Sequence, residues 1–376
     1  MKSILIVDTI YPSVLNNFYK KISVCGDMSD DSLLSLFFKS RFGTSDTYSF
    51  YLEENGWVAK TLIANSHILS KSASVNSIDL IRKYLFKYDL SSKFFARIFE
   101  FNAAFLNEYQ NTLLNHISIY KPDVIYFQDL NFLNEPELDS LKKSGFFLAG
   151  QIASPLPSKQ ILRKFDHIYS SLPNLVSEIQ DVGVSSSFLP IGFDSRILNE
   201  IPPNSRRHLL SFVGGISSIH SSTIPLLQRV IEQHPELRIY GYGKKLTNSS
   251  KLIHNAHLGE AWGLDMYKIF QNSYLTLNRH SEVSGPYANN MRLFESTGMG
   301  SLLLTDNKIN ISDYFIPNEE ILVYDNFQHA SDLVKWVKDN PGKARKIAEN
   351  GLKRTLQDHT YEKVIGNLSK DLKNRL

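Results

Sequence analysis

Hydrophobic and polar positions along this chain repeat as short apolar runs separated by longer amphipathic stretches. The run at 4–7 is continuously apolar and stops at Asp8-Thr9. It predicts a parallel strand buried on both faces, with polar residues at its carboxyl end. A helical pattern follows at 32–38, and Gly43-Thr44-Ser45-Asp46 opens another helix that Asn55-Gly56 stops. Further strands are predicted at 57–64, 124–127, 146–148 running on to Gly150-Gln151, and 166–170. Helices are predicted at 135–143 and 172–182, and the chain from 78 to 120 reads as mostly helical. Past 208 the cycle restarts, with strands at 209–213, 237–240, 274–277, 302–304 and 321–324. Helical patterns at 224–233, 266–272 and 330–356 lie among them, the last broken by Pro341-Gly342.

Repeated strand–helix pairs of this kind predict doubly wound parallel sheets. Pro202-Pro203-Asn204-Ser205-Arg206-Arg207 is polar, stiff and aperiodic, as a linker is. The expected α/β architecture is therefore two Rossmann-like domains facing a central cleft. The N-terminal domain covers 1–200, the C-terminal one 208–356, and 357–376 forms a closing helix.

Composition changes this picture little. A chain of 376 residues with 42% hydrophobic and 21% charged content is an ordinary globular protein with room for two cores. The net charge of +3 suits small anionic ligands or an anionic lipid surface, and falls short of a nucleic-acid signature. Cys25 is the single cysteine, which excludes an internal disulfide framework and a cysteine metal cluster. No apolar run approaches the ~20 residues that span a bilayer. The first strand runs straight into Asp8 where a signal peptide would continue apolar. A cytoplasmic protein is the expectation.

Candidate chemistry concentrates in Asn289-Asn290-Met291-Arg292-Leu293-Phe294-Glu295-Ser296-Thr297-Gly298-Met299-Gly300, followed by an apolar run ending in Thr305-Asp306. The stretch reads as a helix closed by glycines and followed by a short strand. A helix N-terminus presents unpaired N–H groups and a positive dipole end, which suits phosphate. Arg292 adds a bidentate clamp for phosphate or carboxylate. Glu295 shares its helix face and can accept from two vicinal sugar hydroxyls. The same two residues also fit an intrahelical ion pair on a solvated face.

This stretch resembles the donor-site element of GT-B glycosyltransferases, and the chain is similar in particular to the bacterial CgeB-like "glycosyl transferases group 1". Other motifs occur in the family's order: Arg41-Phe42-Gly43-Thr44-Ser45-Asp46-Thr47-Tyr48-Ser49, Gly150-Gln151-Ile152-Ala153-Ser154-Pro155-Leu156-Pro157, and Phe212-Val213-Gly214-Gly215 with His220. Asn278-Arg279-His280 and His359-Thr360-Tyr361 complete the series, so the likeness spans almost the whole chain. Two departures stand out. His220 is followed by Ser-Ser-Thr where an Arg is expected three residues on, and Tyr287 stands where a Glu-x7-Glu spacing would need a carboxylate.

The resemblance implies a GT-B fold and transfer of a sugar from a UDP- or GDP-sugar to an acceptor hydroxyl of a surface polysaccharide, glycolipid or protein glycan. It implies no cofactor, and no metal, since GT-B enzymes typically work without one and no Asp-x-Asp motif is present. Gly214, Gly215, Asn289, Asn290 and Arg292 would cradle the diphosphate, and Glu295 would hold ribose or sugar hydroxyls. Tyr242, Arg279, His280, Tyr287 and Leu293 complete the expected donor site. For His280 a loop histidine without a role is the competing reading. In the N-terminal half Asp8, Gln128, Asp129, Gln151 and Ser154 stand at successive strand ends and would face the acceptor. Asp46 and His220 are the catalytic candidates. Asp46 would serve an inverting reaction as general base, or else simply cap its helix.

Phe94, Phe95, Phe99 and Phe101 have the spacing of core packing, while Lys83, Lys87, Lys93 and Arg97 leave weak docking at the inner face of a membrane open. By the same resemblance, the last helix would pack back on the N-terminal domain. Two other readings fit the pattern: a sugar-nucleotide epimerase, which wants extra carboxylates around the sugar, and a non-catalytic two-lobed ligand-binding protein, which has no use for Arg292 and Glu295.

Overall fold

The structure, a computed structural model, describes residues 1–22, 30–66, 69, 103–202, 208–216, 222–243 and 250–376. Cys25, the aromatic and basic positions between 83 and 101, most of the linker and His220 lie outside the described residues, and so do the expectations attached to them. The chain divides into two compact units, Met1–Leu189 with Ser369–Leu376, and Pro190–Leu368. The division falls ahead of the expected position at 200. Phe193 explains why: its N–H donates to the His359 carbonyl at 2.8 Å, and its own carbonyl accepts from Tyr361 at 3.0 Å. Phe193, Ile197 and Ile201 then enter the core of the second unit.

Six parallel strands form the sheet of the first unit: β1 (Ser3–Asp8), β2 (Val58–Ile63), β3 (Val124–Phe127), β4 (Phe147–Gln151), β5 (His167–Ser170) and β6 (Ser186–Phe188), in the order β2-β1-β3-β4-β5-β6. Leu5, Val7, Ile125, Phe127 and Leu148 pack on Leu113, Ile117 and Leu138 from the covering helices. The helix at Pro12–Ile22 and strand β6 have no counterpart in the sequence pattern. In the first, Asn16-Asn17 and Lys20-Lys21 break the apolar positions into pairs, and the second is three residues long with two serines. Residues 369–376 belong here because Trp57 Nε1 donates to Ser369 Oγ at 2.8 Å, Tyr169 to Asp371 at 2.5 Å and Lys373 to the Asn55 carbonyl at 2.7 Å.

The second unit holds β7 (His208–Val213), β8 (Arg238–Tyr240), β9 (Ser273–Leu277), β10 (Leu302–Asp306) and β11 (Leu322–Tyr324), all parallel, in the order β11-β10-β9-β7-β8. In both sheets the strand order reverses beside the first strand, between β1 and β3 and between β7 and β9. Open α/β sheets bind ligands outside the carboxyl ends of strands at such reversals. The helix expected across 289–300 spans only Arg292–Gly298, so Asn289 and Asn290 precede it.

Candidate functional site

In the second unit the carboxyl ends of β7, β8, β9 and β10 carry most of the polar residues singled out in the sequence. Gly214-Gly215 follows β7 and lies against the loop after β8. A Cβ at Gly241 would fall on the Gly214 carbonyl, and one at Gly243 on that of Ile216; both glycines have positive φ, 137° and 95°. Only glycine tolerates both demands. Gly215 is backed by the Tyr242 ring, which is itself stacked on Trp262 at 6.1 Å and 9°.

Arg292 opens its helix beside the end of β7. Nε donates to the Val213 carbonyl at 3.0 Å, Nη1 donates to Glu295 Oε2, and the guanidinium lies over the Phe270 ring. Nη2 has no partner among the described residues, and the side chain is 23% exposed. Glu295 is enclosed at 3% exposure and also accepts from the Tyr267 hydroxyl at 3.2 Å. Burial first, then the Glu295 charge, push that hydroxyl well above its ordinary pKa, so it stays a donor. The intrahelical pair is therefore made, but on a buried face. Removing one partner of such a pair typically costs about 3–5 kcal/mol.

Asn290 acts as a bracket. Its Oδ1 accepts from the Leu293 N–H at 3.2 Å, and its Nδ2 donates to Asn278 Oδ1 at 3.0 Å. Asn278 in turn donates to Thr305 at 2.9 Å. The Leu293 side chain is fully buried and its N–H is taken, so it offers nothing to a ligand. Tyr287 and Asn289 are half-buried in the preceding loop. Arg279 Nη2 donates to Glu282 at 2.9 Å. Burial would raise the Glu282 carboxyl, yet hydrogen bonding to its own backbone and to Arg279 brings it down to about 2. His280 is buried, with Nδ1 2.7 Å from Asp306 Oδ1.

In the first unit, Asp8 ends β1, and its Oδ1 accepts from the Thr9 N–H at 2.8 Å. Burial pushes the Asp8 carboxyl up, the Thr9 N–H pulls it partly back, and the nearby Asp129 charge raises it further, to about 7. Asp129 Oδ2 accepts from Thr9 at 3.1 Å. Gln128 accepts from Thr44 at 3.0 Å, which leaves its amide nitrogen buried without a partner among the described residues. Gln151 accepts from Tyr48 at 2.5 Å and Tyr126 at 3.0 Å. Ser154 is exposed in the loop beyond β4.

Asp46 makes no side-chain cap to its helix; its carboxylate meets Arg41 at 2.6 Å. Arg41 and Ser45 hold φ values of 54° and 48°. Such left-handed conformations cost non-glycine residues energy and persist where the surroundings fix them. Thr9, Arg41, Thr44, Tyr48, Tyr126, Trp262, Tyr267, Asn278 and Asp306 all join these networks, although the sequence does not single them out as site residues. Thr9 and Asp306, as polar ends of apolar runs, and Arg41, Thr44, Tyr48 and Asn278, inside the motifs quoted above, leave a signal there.

Residues 223–370 match the family described as Glycosyl transferase-like. No curated protein matches the sequence. Among solved structures, the chain is similar to Anabaena HepE in complex with UDP and glucose, at 10% identity and a TM-score of 0.59 over the whole of both chains. It is also similar to sucrose-phosphate synthase from Thermosynechococcus elongatus, at 11% and 0.60 over the whole of both chains. A glycosyltransferase from Rickettsia africae matches at 11% and 0.55 over 99% of this chain and 97% of that one. The fold is thus GT-B, built from two Rossmann-like α/β domains, and the match to the glycosyl transferase-like family falls almost entirely on the second. Among the described residues no helix is long and apolar enough to cross a membrane.

Proposed function

We propose, starting from a glycosyl transferase-like match set in a GT-B fold, that this protein moves a sugar from a nucleotide-sugar to an acceptor hydroxyl. Arg292 carries the reading. Its Nε and Nη1 are anchored within the protein, while the Nη2 edge, without a partner among the described residues, lies beside the end of β7. A departing nucleoside diphosphate needs positive charge and N–H dipoles fixed where its charge develops. Arg292 supplies the charge, beside a Gly214-Gly215 turn whose glycines leave room for the Phe212 and Tyr242 rings packed against them. The reading calls for no metal.

HepE has been seen with UDP-glucose, which makes UDP-sugars the first donors to test. On the acceptor side we place Asp8, Gln128, Asp129 and Gln151, and a hydroxylated acceptor such as a polysaccharide, glycolipid or protein glycan. Asp8, with its carboxyl near 7, suits proton transfer at neutral pH better than Asp46, which Arg41 holds. The test is release of nucleoside diphosphate from a panel of UDP- and GDP-sugars, with water as the default acceptor. One donor should be turned over, and Arg292→Ala should slow it about 100-fold or more. Turnover unaffected by Arg292→Ala would remove the phosphate clamp from the reading; no turnover and no binding of any donor would remove the reading itself.

A further inference from the structure

This inference rests on the second unit being a nucleotide-sugar site, and concerns His280. The ring Nδ1 lies 2.7 Å from Asp306 Oδ1, and the His280 backbone N–H donates to the same oxygen at 2.9 Å. Burial would raise Asp306, but the hydrogen bonds it accepts from the His280 ring and backbone N–H, with the Lys308 charge 3.6 Å away, hold it below the usual carboxylate range. An ionised carboxylate only accepts, so Nδ1 carries a proton, and in the singly protonated ring Nε2 is the atom that presents a lone pair. Nε2 is enclosed and has no hydrogen-bond partner among the described residues. The ring cannot easily turn away. Asn290 holds the Arg279 carbonyl, and Lys308 donates to the Gly285 carbonyl at 2.7 Å, so the loop is pinned on both sides of His280.

A fixed, desolvated lone pair calls for an O–H or N–H donor. It disfavours phosphate oxygens, which are acceptors themselves, and the charge of Asp306 behind the ring adds to that. Strand order says which hydroxyl arrives. Along the carboxyl edge the sequence is β8, β7, β9, β10: the Tyr242–Trp262 stack, then Gly214-Gly215 with Arg292, then His280 with Asp306. Three strand spacings cover about 14 Å. An aromatic face suits a base, the central charge suits a diphosphate, and the far end remains for the sugar. We infer that His280 Nε2 accepts a hydrogen bond from a hydroxyl of the transferred sugar, making His280 a residue that selects the sugar and not the nucleotide.

Calorimetric titration of the full chain with UDP and UDP-glucose, or with GDP and GDP-glucose where only those bind, tests this. His280→Ala should weaken the sugar conjugate about tenfold and the bare diphosphate less than about twofold. The retained diphosphate affinity is also the control for folding. Asp306→Asn can donate to Nδ1 and so convert Nε2 into a donor; because a hydroxyl also accepts, it should weaken the sugar conjugate less than His280→Ala does and leave the bare diphosphate within about twofold. Equal losses for both ligands, or none for either, overturn the inference while leaving the donor site in place. A wild-type chain that binds no diphosphate in either form overturns the parent reading and this inference with it.

Discussion

Glu295 sits enclosed in the second unit, and its charge is tolerable because Arg292 lies against it. Arg292→Ala should therefore destabilise the protein by about 3 kcal/mol in urea unfolding, because the buried carboxylate keeps only the Tyr267 hydroxyl and loses its countercharge. The double variant Arg292→Met with Glu295→Leu should recover most of that stability while leaving the phosphate clamp absent. A double variant as unstable as the single one would show that the pair is not the cause. Asp8 supplies a second residue-scale prediction. Its folded carboxyl is raised from 3.8 to about 7, so the folded state holds the proton more tightly than the unfolded one. The stability this group contributes is full below about pH 4 and is lost as pH rises to about 7, by at most about 4 kcal/mol. Asp8→Asn should match wild type at pH 4 and exceed it at pH 8; the same difference at both pH values would contradict the burial argument.

At the scale of elements, the close approach of the loops after β7 and β8 is the constraint most open to test. Gly241→Ala sets a Cβ on the Gly214 carbonyl at φ 137°, and should cost more than about 2 kcal/mol by thermal denaturation. Gly259→Ala also sits at positive φ, 112°, but in open space, and should cost only about 1 kcal/mol. Similar losses for the two would make φ alone responsible. Strand β3 and the helix Glu135–Lys143 are legible in the sequence at their observed bounds, since an apolar run between punctuating residues marks one and proline with flanking charges the other. The Lys251–Ala256 helix is not, being six residues long with Asn and His inside it. The site is legible as residue types at strand ends. Its wiring is not: His280 and Asp306 are brought together by neighbouring strands, as are Asn278 and Thr305. Periodicity reports a residue's own face and says nothing of its cross-strand partner. The Arg292–Glu295 pair is visible from its spacing, whereas its burial comes from Tyr267 and Phe270 on another helix.

For the whole molecule, the chain enters the second unit at Pro190 and comes back to the first at Ser369. Deleting residues 369–376 would remove the partners of Trp57 and Tyr169 and the fully buried Leu372. The melting temperature should fall by about 5 °C or more. Nucleotide binding should survive, since the proposed donor residues all lie between 190 and 368. The most direct measurement is a thermal-shift screen of the full chain against UDP, GDP and their sugar conjugates, run beside Arg292→Ala. A ligand at a hundred times its dissociation constant should stabilise the wild type by about 2.7 kcal/mol, a plainly visible shift. The prediction is a shift with one nucleotide and its conjugates, lost in Arg292→Ala. No shift with any of them would contradict a nucleotide-sugar site in the second unit.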